Sequence, residues 1–223
     1  MVEAMRSSIA RVTLMNHLLS IWYSPRITIR EILDSRPREL FVPLAATYGV
    51  VHNLHLVMRH EVDLTAGAGV VRVVLVNIVV GAGLGVGGAF AFSYLLSFVG
   101  RLFGGTPSSQ AARTVLAWAS VPYLPLLVVI LPLLLIAGDV LMTYPQNEVF
   151  GGIAGTGPQI VSLLYFLLRS VMAIWSMVIA IAGLSEAFRI SPGRSFLVFV
   201  LAAGVVIALI VGSFVLLDMI GVL

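Results

Sequence analysis

The 223-residue chain contains no cysteine and no lysine. The first absence excludes disulfides and thiolate-bound metal. The second leaves arginine as the only strongly basic side chain, thirteen in all. Charge of either sign is scarce, at 10% of residues, where a soluble domain carries about 25%. Sequence signatures of catalysis are missing as well. There is no nucleophile elbow, no H-E-x-x-H, no Walker loop and no pair of carboxylates placed for acid–base work. The expectation is a protein that is not an enzyme and needs neither cofactor nor metal.

What the chain has in abundance is apolar length. Sixty per cent of residues are hydrophobic, and the mean hydropathy is +1.08, which places it in the membrane class. A spanning helix needs about 20 largely apolar residues, and five segments qualify: 40–58, 70–99, 114–137, 159–184 and 196–222. They predict an all-α membrane protein, a five-helix bundle preceded by an amphipathic segment over 1–39. The soluble stretches are too short to fold separately. The first 39 residues lack a long apolar run and hold six arginines, so no signal peptide is expected and the first span serves as its own insertion signal.

Arginine asymmetry predicts the threading. Arg6, Arg11, Arg26, Arg30, Arg36 and Arg38 precede the first span; Arg101 and Arg113 lie near the second–third loop; Arg189 and Arg194 lie between the fourth and fifth. The opposite side receives Arg59 and Arg72. The amino terminus is therefore expected in the cytoplasm and the carboxyl terminus outside, in a multi-pass cell-membrane protein. The pI near 9.7 comes mostly from the first forty residues, which suits a bilayer surface rather than nucleic acid.

Within the amino-terminal segment, Ile9, Val12, Met15, Leu18, Leu19 and Trp22 recur at helical spacing. They predict an amphipathic helix, either on the inner leaflet or packed on the end of the bundle. In "TIREILDSRP", Thr28 and Glu31 read as a capping box and Pro37 as a stop.

Three motifs inside the spans carry the remaining information. "GAGLGVGG" contains a G-x-G-x-x-G pattern, but apolar residues run through it on both sides, which excludes a dinucleotide loop. Gly81/Gly85 and Gly83/Gly87 are four apart and predict close helix packing. Pro122, Pro125 and Pro132 predict a kinked or interrupted third span. Arg169 lies roughly 16 Å along its helix from Pro158, where a guanidinium costs about 2.5–3.5 kcal/mol.

Tyr48, His52, His55 and Arg59 form one helical stripe. By depth, His52, His55, Asn77, Arg169, Asp139 and Asp218 all fall toward the outer leaflet. They are expected to form a polar cluster, either an interhelical hydrogen-bond network or a pathway for an ion or proton. A metal on His52 and His55 lacks a third ligand at fixed spacing.

Three stretches resemble the Ypt-interacting-protein (YIP) membrane family in its prokaryotic form. They are "IWYSPRITIREIL", "GGTPSSQAARTVLAWASVPYLP" and "IWSMVIAIAGLSEAFRISPGRSF", in that order. The resemblance implies a cytoplasmic amino terminus, a five-span domain over 40–223, and action through partners or oligomers rather than catalysis. Eukaryotic members serve vesicle trafficking with Rab-type GTPases through a long amino-terminal region; the present sequence shows no such stretch, and that partner is not carried over. The expected role is a membrane scaffold or adaptor, contacting the bilayer and a protein partner or a second copy, with Trp22, Pro25 and Arg26 as partner-binding residues. The competing expectation is a small transporter built on the outer polar cluster.

Overall fold

A computed structural model describes residues 15–35, 40–57, 69–143 and 156–220. Among them there are helices and no strands. We name the helices α1 (Pro25–Ser35), α2 (Phe41–Val57), α3 (Val70–Leu102), α4 (Ser109–Ala119), α5 (Leu124–Thr143), α6 (Thr156–Phe188) and α7 (Pro192–Met219). A further helical stretch, 15–20, precedes α1. Ile9, Val12, Arg36, Pro37, Arg38 and Arg59 lie outside the described residues.

Among the described residues, four helical units are long and apolar enough to cross a membrane: Val70–Leu102, Ser109–Pro132, Leu163–Phe188 and Pro192–Met219. The fifth expected crossing, α2, is described over 17 residues, a rise of about 25 Å, and residues 58–68 after it lie outside the described residues.

The proline-rich span is interrupted. α4 ends at Ala119, a 3-10 turn covers Val121–Tyr123, and α5 begins at Leu124. Pro122 lacks an amide hydrogen and cannot donate to Trp118 O, so the ladder breaks there; Pro125 falls in the first turn of α5, where the missing amide is tolerated, and Pro132 stands inside α5 without ending it. The Tyr123 amide donates to Ser120 O at 2.9 Å, one residue short of the helical acceptor. The carbonyl of Ala119, released in this way, accepts the Ser176 hydroxyl of α6 at 2.6 Å. A neighbouring helix thus satisfies the backbone that proline frees.

α2 and α3 pack backbone to backbone. A Cβ placed on Gly49 would lie 2.6 Å from Gly85 Cα, and one on Gly81 would lie 2.7 Å from Gly49 O. Only glycine permits this approach. Gly83 and Gly87, equally well spaced in sequence, meet nothing within 4 Å; they sit on the outer face of α3. At the end of this seam Asn53 Nδ2 donates to Asn77 Oδ1 at 2.8 Å and to Asn77 O at 3.0 Å.

The amino-terminal segment packs into the bundle. Ile21, Ile29 and Ile32 are buried in one core with Leu96, Val115, Trp118, Leu184 and Phe188. Each such isoleucine contributes about 2 kcal/mol relative to exposure to water. Pro25 opens α1, as its fixed φ and missing amide favour at a first helical position. Thr28 is therefore inside the helix and not at its cap; its hydroxyl bonds Ser24 O at 3.0 Å and Ser20 Oγ at 2.9 Å. Glu31 turns away, and its Oε2 lies 3.4 Å from His17 Nε2.

A second core, around Val51, Leu54, Tyr123, Leu126, Ile130 and Tyr165, fills the opposite part of the bundle.

Candidate functional site

Two polar clusters stand out, one in each half of the bundle. The first gathers segments that are remote in sequence. Glu186, near the end of α6, is paired with both Arg26 and Arg30 of α1. Arg30 donates from Nε at 2.8 Å and from Nη2 at 2.5 Å to Glu186 Oε2. The Glu186 side chain is 10% exposed, while the arginines are 56% and 60% exposed. The carboxylate is held inside the contact and the cations reach over it.

Backbone bonds finish the same end. Gly104 takes φ +76°, a conformation glycine adopts without cost, and the turn brings the Thr106 amide to Phe188 O at 3.1 Å. The Phe188 ring occupies the space beside Gly100, where a Cβ would lie 2.8 Å from it. Ser108 caps α4 and Ser191 caps α7, each accepting from a first-turn amide at 3.4 Å. Ile29 and Val115 fill the space beside Gly183. The result is a platform made of α1, the turn at 103–108 and the turn at 189–191.

The platform's outer surface is apolar and basic. Met15, Leu19, Tyr23 and Ile27, at four-residue spacing, are all exposed, Tyr23 most of all at 73%. Arg26, Arg30, Arg101, Arg189 and Arg194 are exposed around them. Trp22 is half-buried against the first core, Pro25 begins α1, and Arg26 is engaged with Glu186. The residues that sequence reasoning nominated for a partner therefore help to dock α1, and the free face belongs to Tyr23 and Ile27. The four-residue spacing of 15, 19, 23 and 27 is visible in the sequence. Which face of the segment turns outward is not.

The second cluster lies on the face of α2 beside the glycine seam. The Tyr48 and His52 rings stack at 5.8 Å, Tyr48 meets Tyr123 edge-on at 5.1 Å, and His55 lies 5.8 Å from Tyr165. Arg169 Nη2 is 3.3 Å from His52 Nδ1. A guanidinium only donates, so this contact uses the Nδ1 lone pair and puts the ring hydrogen of His52 on Nε2. No carboxylate among the described side chains pairs with Arg169. Arg169 Nε and the Tyr165 hydroxyl are buried without a hydrogen-bond partner among the described residues.

Of the six residues expected to cluster by depth, His52, His55 and Arg169 belong to this cluster. Asn77 instead joins Asn53 beside the glycine seam. Asp218 is exposed on the last turn of α7 and forms no ion pair with a described residue. Asp139 lies about 22 Å along α5 from Leu124, with its side chain outside the described residues. Depth along a helix does not fix the direction a residue faces, and facing direction separates these groups. Tyr123 and Tyr165 enter the cluster unannounced, since buried aromatics in apolar spans carry no distinctive spacing. Among the described residues no group of three metal-ligating side chains occurs.

A family model for the Yip1 domain matches residues 19–214. No curated protein and no solved structure matches the chain.

Proposed function

The chain belongs to the Yip1 domain family, and on that premise we propose that it is a non-enzymatic membrane scaffold whose platform docks a protein partner or a second copy. In this reading it sits in the cell membrane with five crossings, α2 included, and its amino terminus in the cytoplasm. The exposed arginines of the platform support that orientation, because basic residues are retained on the cytoplasmic side. The observation that carries the reading is the exposure of Met15, Leu19, Tyr23 and Ile27 on a segment anchored by three buried isoleucines and a doubly paired carboxylate. A surface held in place this way is preorganised, so little ordering entropy is lost when something docks on it.

Transport through the Arg169 cluster is less well supported. Among the described residues, the buried hydroxyls between it and the platform, such as Ser97, Ser120 and Ser185, donate to backbone carbonyls of their own helices. Leu96, Val115, Trp118 and Ile179 fill the intervening bundle as one buried apolar core.

The test is a photo-reactive residue at Tyr23 or Ile27 in native membranes, compared with one at Leu209, which is exposed on α7. The expected result is discrete protein adducts at the first two positions and lipid adducts alone at Leu209. Lipid adducts alone at all three would overturn the scaffold reading.

A further inference from the structure

We propose that Arg169, His52 and Tyr165 form a binding site for a phosphate group, entered sideways from the bilayer. The first ground is the unanswered charge. Arg169 lies within the apolar stretch Leu163–Phe188 and has no carboxylate among the described side chains. Its one described hydrogen-bond partner, His52, is a neutral acceptor at 3.3 Å. An arginine kept at such a position ordinarily faces a partner, and the partner missing here is an anion.

The second ground is the set of donors. Arg169 Nε is buried without a partner among the described residues, and so is the hydroxyl of Tyr165, whose residue is 3% exposed. Tyr165 is one helical turn from Arg169, on the same face of α6. His52 adds its Nε2–H, fixed by the contact its Nδ1 makes. A guanidinium, an imidazole N–H and a phenol bring donors from two helices. They suit the several oxygens of a tetrahedral phosphate, which arginine favours. The other two buried unpartnered donors, the indole nitrogens of Trp118 and Trp175, belong to aromatic side chains of the first core and bring no charge with them.

The third ground is access. His52 is exposed at the perimeter of the bundle. Leu56, one turn from it, and Phe166, one turn from Arg169, are exposed as well. The opening therefore faces acyl chains. Arg169 is about 15 Å along the helix from residue 159, where the apolar run begins, and its long side chain can reach back toward the headgroups. A phosphate drawn down to it by local thinning of the bilayer would set the lipid's chains against Leu56 and Phe166. Free phosphate carries the same chemistry from the aqueous side. The site is separate from the platform and does not depend on the docking role.

The experiment uses the purified full-length chain in detergent, with native mass spectrometry and thermal unfolding as readouts. Short-chain phosphatidylglycerol, short-chain diacylglycerol and inorganic phosphate are added separately to the wild type and to Arg169→Met. The expected result is retention and thermal protection by phosphatidylglycerol, none by diacylglycerol, and a loss of about tenfold or more in lipid occupancy in Arg169→Met. Protection by inorganic phosphate at similar concentrations, sensitive to the same substitution, assigns the site to free phosphate. Should Arg169→Met fail to fold, Tyr165→Phe removes one hydroxyl and keeps the ring; about a threefold weakening is expected. Equal binding of phosphatidylglycerol and diacylglycerol, unchanged by the substitutions, with no response to phosphate, overturns the proposal.

Discussion

The two polar clusters place arginine beside apolar helices in opposite ways. At the platform, Arg26 and Arg30 share Glu186 and extend toward the surface. In the other half, Arg169 meets a neutral imidazole and leaves Nε without a partner among the described residues. A compensated charge ties elements together. An uncompensated one holds a donor in readiness at a cost in stability, a pattern typical of functional sites. The first cluster reads as a clasp that presents a surface, and the second as a receptor for something charged.

The largest effect is expected from the seam that positions the second cluster without touching it. Gly49→Leu forces a side chain into the backbone of α3 and should cost about 3 kcal/mol or more, measured by thermal unfolding in detergent. Gly83→Leu, on the outer face of the same helix pair, should change the midpoint little. If both variants lose stability equally, the α2–α3 packing is not as described, and His52 loses its fixed place beside Arg169.

A smaller change should run in the opposite direction. Arg169→Met replaces a guanidinium that no described carboxylate pairs by an apolar chain of similar length. In lipid-free detergent it should stabilise the protein by about 1–2 kcal/mol. A loss of stability there would mean that Arg169 already has a strong partner, and the contrast between the clusters would disappear.

The sequence made some of this legible and some of it not, for physical reasons. The long apolar runs announce the crossings because a bilayer demands them. The break at Pro122 follows from its missing amide, while Pro132, equally visible, stands inside α5 without ending it. The glycine pairs were visible by spacing, but Gly81/Gly85 and Gly83/Gly87 have the same spacing, and only Gly49 on the facing helix selects between them. Glu186 lies 160 residues from Arg26, and no local pattern connects two such positions. The reading of Thr28 and Glu31 as a capping box missed that Pro25 starts the helix one turn earlier. Grouping Asn77 and Asp218 with His52 rests on depth alone, which ignores the direction each helix face takes.

The clasp itself should be the weakest of the three effects and the most informative. Glu186→Ala removes the shared partner of two exposed arginines, at a cost of about 1 kcal/mol. Amide hydrogen exchange over Pro25–Ser35 tests this most directly. The account predicts measurable protection of α1 in the wild type, reduced about fivefold in Glu186→Ala, with Pro192–Met219 unchanged in both. Exchange of α1 at the unprotected rate in the wild type, or at the same protected rate in both proteins, would contradict the claim that Glu186 holds this helix as a docking surface.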